Sequence, residues 1–409
     1  MIKQRVLISE VYEGLYDGPH ATPPTSDKGA VFLGISNITK NGHIDFSNIK
    51  YISEEDLPKW TKRVTPRAGD IVFSYEATLN LYAIIPESFW GCLGRRMALI
   101  RPDESKALGK YLYYYFFSDE WRATIAENTI TGATVDRIPI AKFPEFPISL
   151  PSLEIQKRIV DILSAYDYLI ENNQTQIKLL EEAAQRLYKE WFVNLHFPGY
   201  EDMQIVDGVP EGWKIVSLDD VISKITTGLN PRKNFVLGKG NNFYVTIKNM
   251  GDNNIYLDDK CDKIDNEALE KINKRSDLRT GDILFSGIGT MGRVYLISIP
   301  TNNWNVSESV FTMRANERIT NEYLYMVLLS DDMKSYCDQN AHGVAQRGIR
   351  MADLRAYKLL LPDDNILKKY TYISKPLIQK VQALQKQCKE LTEARDRLLP
   401  KLMSGEIEL

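Results

Sequence analysis

The stretch Leu153–Phe192 decides the fold and reads LEIQKRIVDILSAYDYLIENNQTQIKLLEEAAQRLYKEWF. Apolar or small side chains recur along it at steps of three and four, and neither glycine nor proline interrupts it. This pattern predicts a single amphipathic helix, roughly 60 Å long at 1.5 Å per residue. One apolar stripe on a helix of that length requires a partner. The stripe is predicted to consist of Ile155, Ile159, Ile162, Tyr166, Leu169, Ile177, Leu180, Ala184, Leu187 and Trp191.

A second stretch of the same kind, residues 366–402, supplies a candidate partner. Leu180 and Leu391 are 211 positions apart, and so are Leu187 and Leu398. Pro376 predicts a start or a kink in this second helix, because proline lacks the N–H group that a helix interior uses. Two unrelated long core helices would be the alternative explanation if nothing else in the chain repeated.

The segments between the helices repeat as well. Gly69–Ser74 matches Gly281–Ser286 at a distance of 212, and Phe32–Asn37 matches Tyr244–Asn249 at the same distance. The offset predicts a tandem repeat in which each copy is a globular α/β domain followed by a long helix. If the helices pack antiparallel, the domains lie at opposite ends of them. The predicted parts are a first domain at 1–150, a helix at 151–196, a linker at 197–212, a second domain at 213–362 and a second helix at 363–409.

Composition restricts the function classes. The 409 residues are 44% hydrophobic and 26% charged, which is typical of a soluble globular protein. No window holds 18 consecutive apolar residues, so we expect a cytoplasmic protein without a membrane span. The four cysteines are far apart and only four histidines are present, so no metal site is predicted. The net charge of −3 disfavours nucleic-acid binding by the whole surface but leaves local basic patches possible.

Motifs for catalysis are weak. Gly287–Gly292 fits the glycine spacing of a dinucleotide fingerprint, but the β-prone run Arg293–Ile297 follows where the fingerprint needs a helix. Glu104-Ser105-Lys106 resembles half of a nuclease metal site and is explained more simply as a charged turn. Neither a Walker A loop, nor a box for amino-methyl transfer, nor a nucleophilic triad is evident. We therefore predict no catalytic residue, cofactor or metal in this chain.

Polar loops occupy equivalent positions in the two copies and differ in sequence. Arginine, asparagine and glutamine can pair with base edges, whereas lysine is suited to phosphates. Each such residue alone is more often an ordinary surface residue. Two domains that repeat the same scaffold but carry polar loops of different sequence, however, indicate two recognition surfaces of different specificity. The candidate DNA-binding residues are Asn37, Lys40, Tyr75, Thr78, Thr131, Thr134, Arg137, Lys233, Lys248, Asn249, Thr290, Arg293, Gln346 and Arg347.

Several segments together resemble the specificity (S) subunits of type I restriction–modification systems. They are the two domain repeats, the Pro210-Glu211-Gly212-Trp213-Lys214 opening of the second domain, the strand at Gly281–Ser286, the Leu150-Pro151 junction followed by Gln156–Ile159, and the closing run Leu402–Ile407. Two departures from the family pattern are visible. The first domain lacks its own Pro-Glu-Gly-Trp opening, and the second junction, Leu361–Asn365, lacks the Gln-Lys-Arg run.

The resemblance implies an α+β fold in which two α/β target recognition domains are held apart by two long antiparallel helices forming a coiled-coil spacer. Each domain would recognise one half of a bipartite double-stranded DNA target. The helices would dock two methyltransferase subunits that carry S-adenosylmethionine, and an endonuclease and translocase subunit would complete a host-defence complex. The chain itself would be non-catalytic.

Three alternatives remain at this level. The first is the recognition subunit of a fused restriction–methylation enzyme, the second is a coiled-coil scaffold that does not bind DNA, and the third is a methyltransferase or nuclease with an unrecognised site.

Overall fold

A computed structural model describes residues 2–132, 135–343 and 347–409. The chain forms two compact units, one comprising Met1–Glu171 with Lys389–Leu409 and the other comprising Asn172–Cys388. Both contain helices and sheets, and they repeat one topology, so the predicted α+β tandem repeat is confirmed. In the described part of the chain, no helix combines the length and the apolar character that a membrane crossing requires.

The described residues of the first unit form three sheets. The strands are β1 (Gln4–Leu7), β2 (Tyr12–Asp17), β3 (Ala30–Leu33), β4 (Lys50–Ile52), β5 (Ile71–Ser74), β6 (Tyr82–Ile84), β7 (Gly91–Leu93), β8 (Met97–Pro102) and β9 (Pro147–Leu150). The largest sheet is antiparallel with the order β2-β8-β5-β6, a second has the order β4-β3-β7 with β3 and β7 parallel, and β1 pairs antiparallel with β9. The helices are α1 (Leu57–Trp60), α2 (Gly109–Tyr115), α3 (Asp119–Asn128) and the beginning of α4 (Leu153–Tyr188).

The inner strand β5 shows why these residues form a sheet with two covered faces. Successive side chains of a strand point to opposite faces. Ile71 and Phe73 join the apolar cluster that contains the aromatic side chains of α2, whereas Val72 joins a different cluster with Leu99. Both faces of the sheet are therefore packed, which explains the unbroken apolar run in the sequence.

The second unit repeats this arrangement. The strands are β10 (Ile205–Val206), β11 (Val209–Pro210), β12 (Lys214–Ser217), β13 (Ile222–Thr227), β14 (Asn242–Val245), β15 (Asp262–Ile264), β16 (Ile283–Ser286), β17 (Val294–Leu296), β18 (Trp304–Val306), β19 (Val310–Ala315) and β20 (Lys358–Leu361). The sheets have the orders β13-β19-β16-β17, β15-β14-β18 and β12-β20, and a small hairpin, β10-β11, precedes them. The helices are α5 (Asn266–Ser276), α6 (Asn321–Leu329), α7 (Asp331–Gln339), α8 (Met351–Ala356) and α9 (Asp364–Ser404).

The ends of the long helices differ in detail from the prediction. Helix α4 ends at Tyr188 and continues as a π-helical turn over Lys189–Val193. Helix α9 does not start near Pro376 but at Asp364. The reason lies in Asp363, whose carboxylate accepts the backbone N–H groups of Asn365 at 2.9 Å and of Ile366 at 3.0 Å. This cap satisfies the N–H groups that begin the helix, so its start is fixed upstream of the proline.

Within the first unit, α4 and α9 pack in opposite directions. Ile159 and Leu163, early in α4, share an apolar cluster with Leu402 and Met403, at the end of α9. One predicted stripe position is wrong, because Leu169 is 42% exposed and the adjacent Ile170 is buried instead. The assumed steps of three and four placed the face slightly off the one that the packing selects.

A buried polar contact also joins the helices of the first unit. The Arg395 guanidinium donates from Nη1 to Oδ1 of Asp167 at 2.7 Å. The Tyr114 hydroxyl of α2 donates to Oδ2 of the same carboxylate at 2.5 Å. Charged partners with fixed geometry of this kind hold helix register, because a buried charge without its partner is costly.

In the second unit, the late part of α4 meets the early part of α9. Ala184 shares an apolar cluster with Ile378, and the rings of Trp191 and Tyr370 lie 5.9 Å apart between centroids. Positions advance along α4 as they recede along α9, so the pairing is antiparallel in this unit as well.

Candidate nucleic-acid interface

Several strands of the four-stranded sheet end or begin at the same edge, where loops are attached to them. In the first unit, β2 ends at Asp17 and β5 ends at Ser74, and these residues lie opposite Ala98 and Met97 at the start of β8. Antiparallel pairing therefore brings three loop attachments to the same edge. The second unit has the same register, with Thr227 opposite Phe311 and Ser286 opposite Val310.

Two loops that the sequence predicts separately come together at this edge. We define the first loop as residues 75–81 and 287–293, and the second loop as residues 130–137 and 342–348, in the first and second unit respectively. The backbone N–H of Ala77 donates to the carbonyl of Asp136 at 3.0 Å, and that of Gly289 donates to the carbonyl of Arg347 at 2.7 Å. The described residues of the two loops thus meet in each unit.

The first loop keeps its backbone conformation although its sequence changes. Ala77 has φ = 71° and Gly289 has φ = 72°, both in the left-handed region that favours glycine. The hydroxyl of buried Ser74 donates to the Thr78 carbonyl, and that of buried Ser286 donates to the Thr290 carbonyl. The repeat therefore preserves the frame of the loop, while the side chains on it differ.

Five candidate residues lie on these loops with exposed side chains: Thr78, Thr131 and Arg137 in the first unit, and Thr290 and Arg347 in the second. Arg347 donates from Nη2 to the carbonyl of Asp338 at 2.7 Å, which leaves other guanidinium N–H groups for a ligand. Gly343 of the second loop has φ = 98°, in the left-handed region that favours glycine. Thr134 and Gln346 lie outside the described residues.

Asn37 and Asn249 are corrections to the predicted set. They are only 5% and 7% exposed. The Asn37 carboxamide oxygen accepts the backbone N–H of Gly34 at 3.1 Å, and the Asn249 oxygen accepts that of Thr246 at 2.9 Å. Asparagine commonly stabilises turns in this way. These two amides are therefore buried and close 3₁₀ turns.

Two further candidates, Tyr75 and Arg293, are buried and half-buried, respectively. Tyr75 is buried, and this burial raises the pKa of its hydroxyl, with Asp17 and Glu76 adding to the rise. The Arg293 guanidinium donates from Nη1 to the carbonyls of Ile247 at 3.3 Å and Met250 at 2.5 Å. Its role is to hold the turn on which Lys248 stands.

The three predicted lysines occupy different places. Lys248 is exposed on the turn that Arg293 holds, so it belongs to the surface formed by the loops of the second unit. Lys233 is exposed on the 3₁₀ turn Pro231–Lys233 beside α5. Lys40 is exposed on a turn that packs against α2, where the Tyr113 hydroxyl donates to the Gly42 carbonyl at 3.1 Å.

A matched pair of basic residues escaped the sequence prediction. Lys62-Arg63 follows α1, and Lys274-Arg275 closes α5, at the same offset of 212 that relates the domains. All four side chains are exposed. Arg63 donates to the Gly18 carbonyl at 3.3 Å, and Arg275 donates to the Thr227 hydroxyl at 3.3 Å, just where β2 and β13 end. The offset itself was the signal that could have identified them.

This basic pair adjoins the first loop. In the first unit, Arg63 pairs with Asp17 at 2.5 Å, and Asp17 lies opposite Ala98, whose neighbour Met97 lies opposite Ser74, the residue before the first loop. In the second unit, Gly228, next to Thr227, donates to the Ser307 carbonyl, and Gly287 of the first loop donates to the Ser309 carbonyl. Each unit therefore carries two loops with a basic pair beside them.

The weak catalytic motifs have structural roles. Gly287–Gly292 connects β16 to β17 in a hairpin, so a strand follows where a dinucleotide would need a helix N-terminus. The Glu104 carboxylate accepts the backbone N–H of Gly109 at 3.0 Å, at the start of α2. Lys106 pairs with Asp103 at 3.4 Å.

Comparison with known proteins adds independent information. A family model described as "Type I restriction modification DNA specificity domain" matches residues 25–182 and 210–393. The chain is 25% identical over 384 residues to the type I restriction enzyme MjaIX specificity subunit of Methanocaldococcus jannaschii, covering 89% of this chain and 85% of that one. It is 23% identical over 447 residues to the HindI specificity subunit of Haemophilus influenzae, covering 92% and 94%.

Among solved structures, the fold is similar to the S subunit of a type I restriction–modification system from M. genitalium. The TM-score is 0.59 at 16% identity, and the match covers 98% of this chain and 96% of that chain.

Proposed function

Because this chain belongs to the type I restriction modification DNA specificity family, we propose that it binds double-stranded DNA sequence-specifically and that each unit recognises one half of a bipartite target. One observation carries the proposal. The two units present the same loop frame, with φ near 70° at Ala77 and at Gly289, yet they present different exposed side chains on it. Two loops with the same backbone conformation but different polar side chains are suited to recognise two different base sequences.

The components of each surface suit different parts of DNA. Arg137 and Arg347 can each form a bidentate pair with guanine, and such a pair contributes roughly 1–3 kcal/mol of discrimination. The basic pairs Lys62-Arg63 and Lys274-Arg275, together with Lys248, are suited to phosphates, which position a protein on a duplex without specifying the sequence.

We further propose that the long helices form the spacer and dock two methyltransferase subunits, which would supply S-adenosylmethionine, within a complex that also contains an endonuclease and translocase subunit. Large apolar side chains that no neighbour covers support docking on the helices. In the first unit Tyr168 is 69% exposed, and in the second unit Tyr372 is 83% exposed. Exposed aromatic residues on an otherwise charged helix are typical of interaction surfaces.

Replacing Lys274 and Arg275 together by alanine should weaken binding to all duplexes alike, because phosphate contacts do not depend on sequence. The slope of log K against log salt should become shallower by about 2, since each phosphate contact contributes close to 1. The complex with its methyltransferase partners would be titrated with specific and non-specific duplexes across a salt series. An unchanged slope would remove this pair from the DNA surface.

Arg347→Ala provides the contrast in the same titrations. It should relax the preference at one base pair of one half-site, with a smaller change in salt slope. Arg355→Ala is the matched control, since it removes the same charge from the same unit while its guanidinium pairs with Asp219 on the protein. Equal loss of discrimination in both variants would argue against a base contact at Arg347.

The purified chain, tested without partners, should transfer no methyl group from labelled S-adenosylmethionine to duplex DNA. The expectation rests on the proposal that catalysis belongs to the docked subunits. Incorporation of label is the measurement, and addition of the methyltransferase subunits should restore it. Transfer by the chain alone would overturn the proposed division of labour.

A further inference from the structure

The first unit contains a cleft of about 940 Å³ beside the β1–β9 pair. Apolar side chains line much of it, including Val6, Val11, Leu150, Pro151 and Ile155. Polar groups at its rim include Glu10, Ser152 and Glu408. The cleft lies within a single unit and shares no residue with the loops proposed to bind DNA.

The internal repeat shows what this position holds in the second unit. Strand β12 pairs with β20 as β1 pairs with β9, with Lys214 opposite Leu361 and Gln4 opposite Leu150. The residue just before β12 is Trp213, and it is only 6% exposed. Its ring lies 4.5 Å between centroids from that of Phe197, in the cluster that contains Val216 and Ile366, the counterparts of Val6 and Ile155.

Both aromatic residues are replaced by charged residues in the first unit. Lys3 stands just before β1, where Trp213 stands before β12, and its amine pairs with Glu120 at 3.2 Å. Glu408 stands 211 positions after Phe197, the offset of the long helices. Apolar positions of the cluster that contains Trp213 are thus repeated in the cleft of the first unit, but the ring is not.

The polar partner of the tryptophan is repeated too. The Trp213 indole N–H donates to Oδ2 of Asp363 at 3.2 Å. Ser152 is the counterpart of Asp363 at the offset of 211, and its hydroxyl is a hydrogen-bond acceptor at the rim of the cleft. A buried indole usually finds such an acceptor.

We propose that the cleft of the first unit is a docking site for a tryptophan side chain presented by a partner protein on a Pro-x-Gly-Trp turn, as Trp213 is presented within the second unit. There the backbone N–H of Trp213 donates to the Pro210 carbonyl at 3.0 Å, and Gly212 has φ = 85°. The rim carries the carboxylates of Glu10 and Glu408 and one amine, that of Lys106, which pairs with Asp103 at 3.4 Å; this balance favours a basic residue beside the tryptophan, in the position that Lys214 holds after Trp213.

A second copy of this chain fits the site less well than a different protein. The Pro-Glu-Gly-Trp segment of the chain is already used, since Trp213 is buried and hydrogen-bonded in its own unit. Offering it to another copy would expose that cluster. This inference is independent of the proposed DNA contacts and would stand or fall without them.

The test uses the full chain and a labelled synthetic peptide with the sequence of residues 208–214, Gly-Val-Pro-Glu-Gly-Trp-Lys. Fluorescence anisotropy should show saturable binding. The same peptide with alanine in place of tryptophan should bind about tenfold more weakly or worse, because an aromatic anchor carries most of such an interface. Ser152→Ala should weaken binding about fivefold through loss of one hydrogen bond.

Lys3→Trp is the decisive variant, because it places a tryptophan directly before β1, as Trp213 stands directly before β12. It should raise the Tm and abolish peptide binding, whereas the matched control Lys3→Ala should leave binding intact. If Lys3→Trp fails to fold, the tryptophan-free peptide and the Ser152→Ala variant still test the proposed docking site. Binding that ignores the tryptophan, or that persists when Lys3→Trp is folded, would overturn the proposal. So would dimerisation of the chain that exposes Trp213.

Discussion

Exchanging residues 1–150 for the matching domain of a family member with another specificity should change one half of the recognised DNA sequence completely and leave the other half unaltered. The physical reason is the independence of the two cores. In the first unit the sheet clusters draw on residues of that unit, and those of the second unit do likewise. The boundary at residue 150 also carries the β1–β9 pair intact.

The measurement is the sequence of methylated sites in a host that supplies the partner subunits. The reciprocal exchange, of residues 213–362, is the matched control and should change the other half only. If either exchange altered both halves, the two units would not be independent readers, and the proposed surfaces would need to be reassigned.

Asp282→Ala should lower the free energy of unfolding of the second unit by about 3–5 kcal/mol, since it breaks a buried ion pair by removing one partner. The carboxylate of Asp282 is 2% exposed and accepts from Nε of Arg314 at 2.6 Å and from Nη2 at 2.8 Å. It also accepts the backbone N–H of Arg279 at 2.9 Å. Without this carboxylate, the half-buried Arg314 keeps only Asp277 as a carboxylate partner among the described residues.

Chemical denaturation followed by circular dichroism measures the effect. Asp277→Asn is the matched control, because Asp277 contacts the same Arg314 but is 47% exposed, and exposed pairs contribute about 1 kcal/mol or less. Asparagine also tolerates the left-handed conformation at this position, where φ is 44°. Similar losses in the two variants would mean that burial of the Asp282 pair is not what stabilises the unit.

The repeat also explains a sequence motif. The Gly-Asp-Ile pattern occurs in both copies, and Asp70 in the first unit accepts from Nε and Nη2 of Arg101, both at 2.8 Å, and from the N–H of Arg67, also at 2.8 Å. The sequence showed that the pattern recurs. The structure shows that its aspartate holds the turn before the inner strand, so the repeated motif marks stability and not chemistry.

The candidate residues of the site were predicted unevenly. The exposure of Arg137 and Arg347 on loops agrees with their residue type and repeat position, and their contact with DNA stays a prediction. Asn37 and Asn249 were misassigned because an amide that closes its own turn looks, in sequence, like an amide that faces a ligand. Arg275 was missed because its neighbours in the sheet edge, such as Thr227, are 48 positions away in the chain.

The sequence by itself determined the features that depend on periodicity along the chain: the two long helices, the repeated domains and the α+β class. Apolar spacing is a local property, and a repeat is visible wherever it is copied. Only the tertiary structure decided which face of α4 is buried, where α9 begins, how two distant loops and a basic pair meet at one sheet edge, and that the first unit has a cleft where the second has Trp213. These features depend on contacts between residues far apart in the chain, whose geometry is set by packing and hydrogen bonding and not by spacing along the sequence.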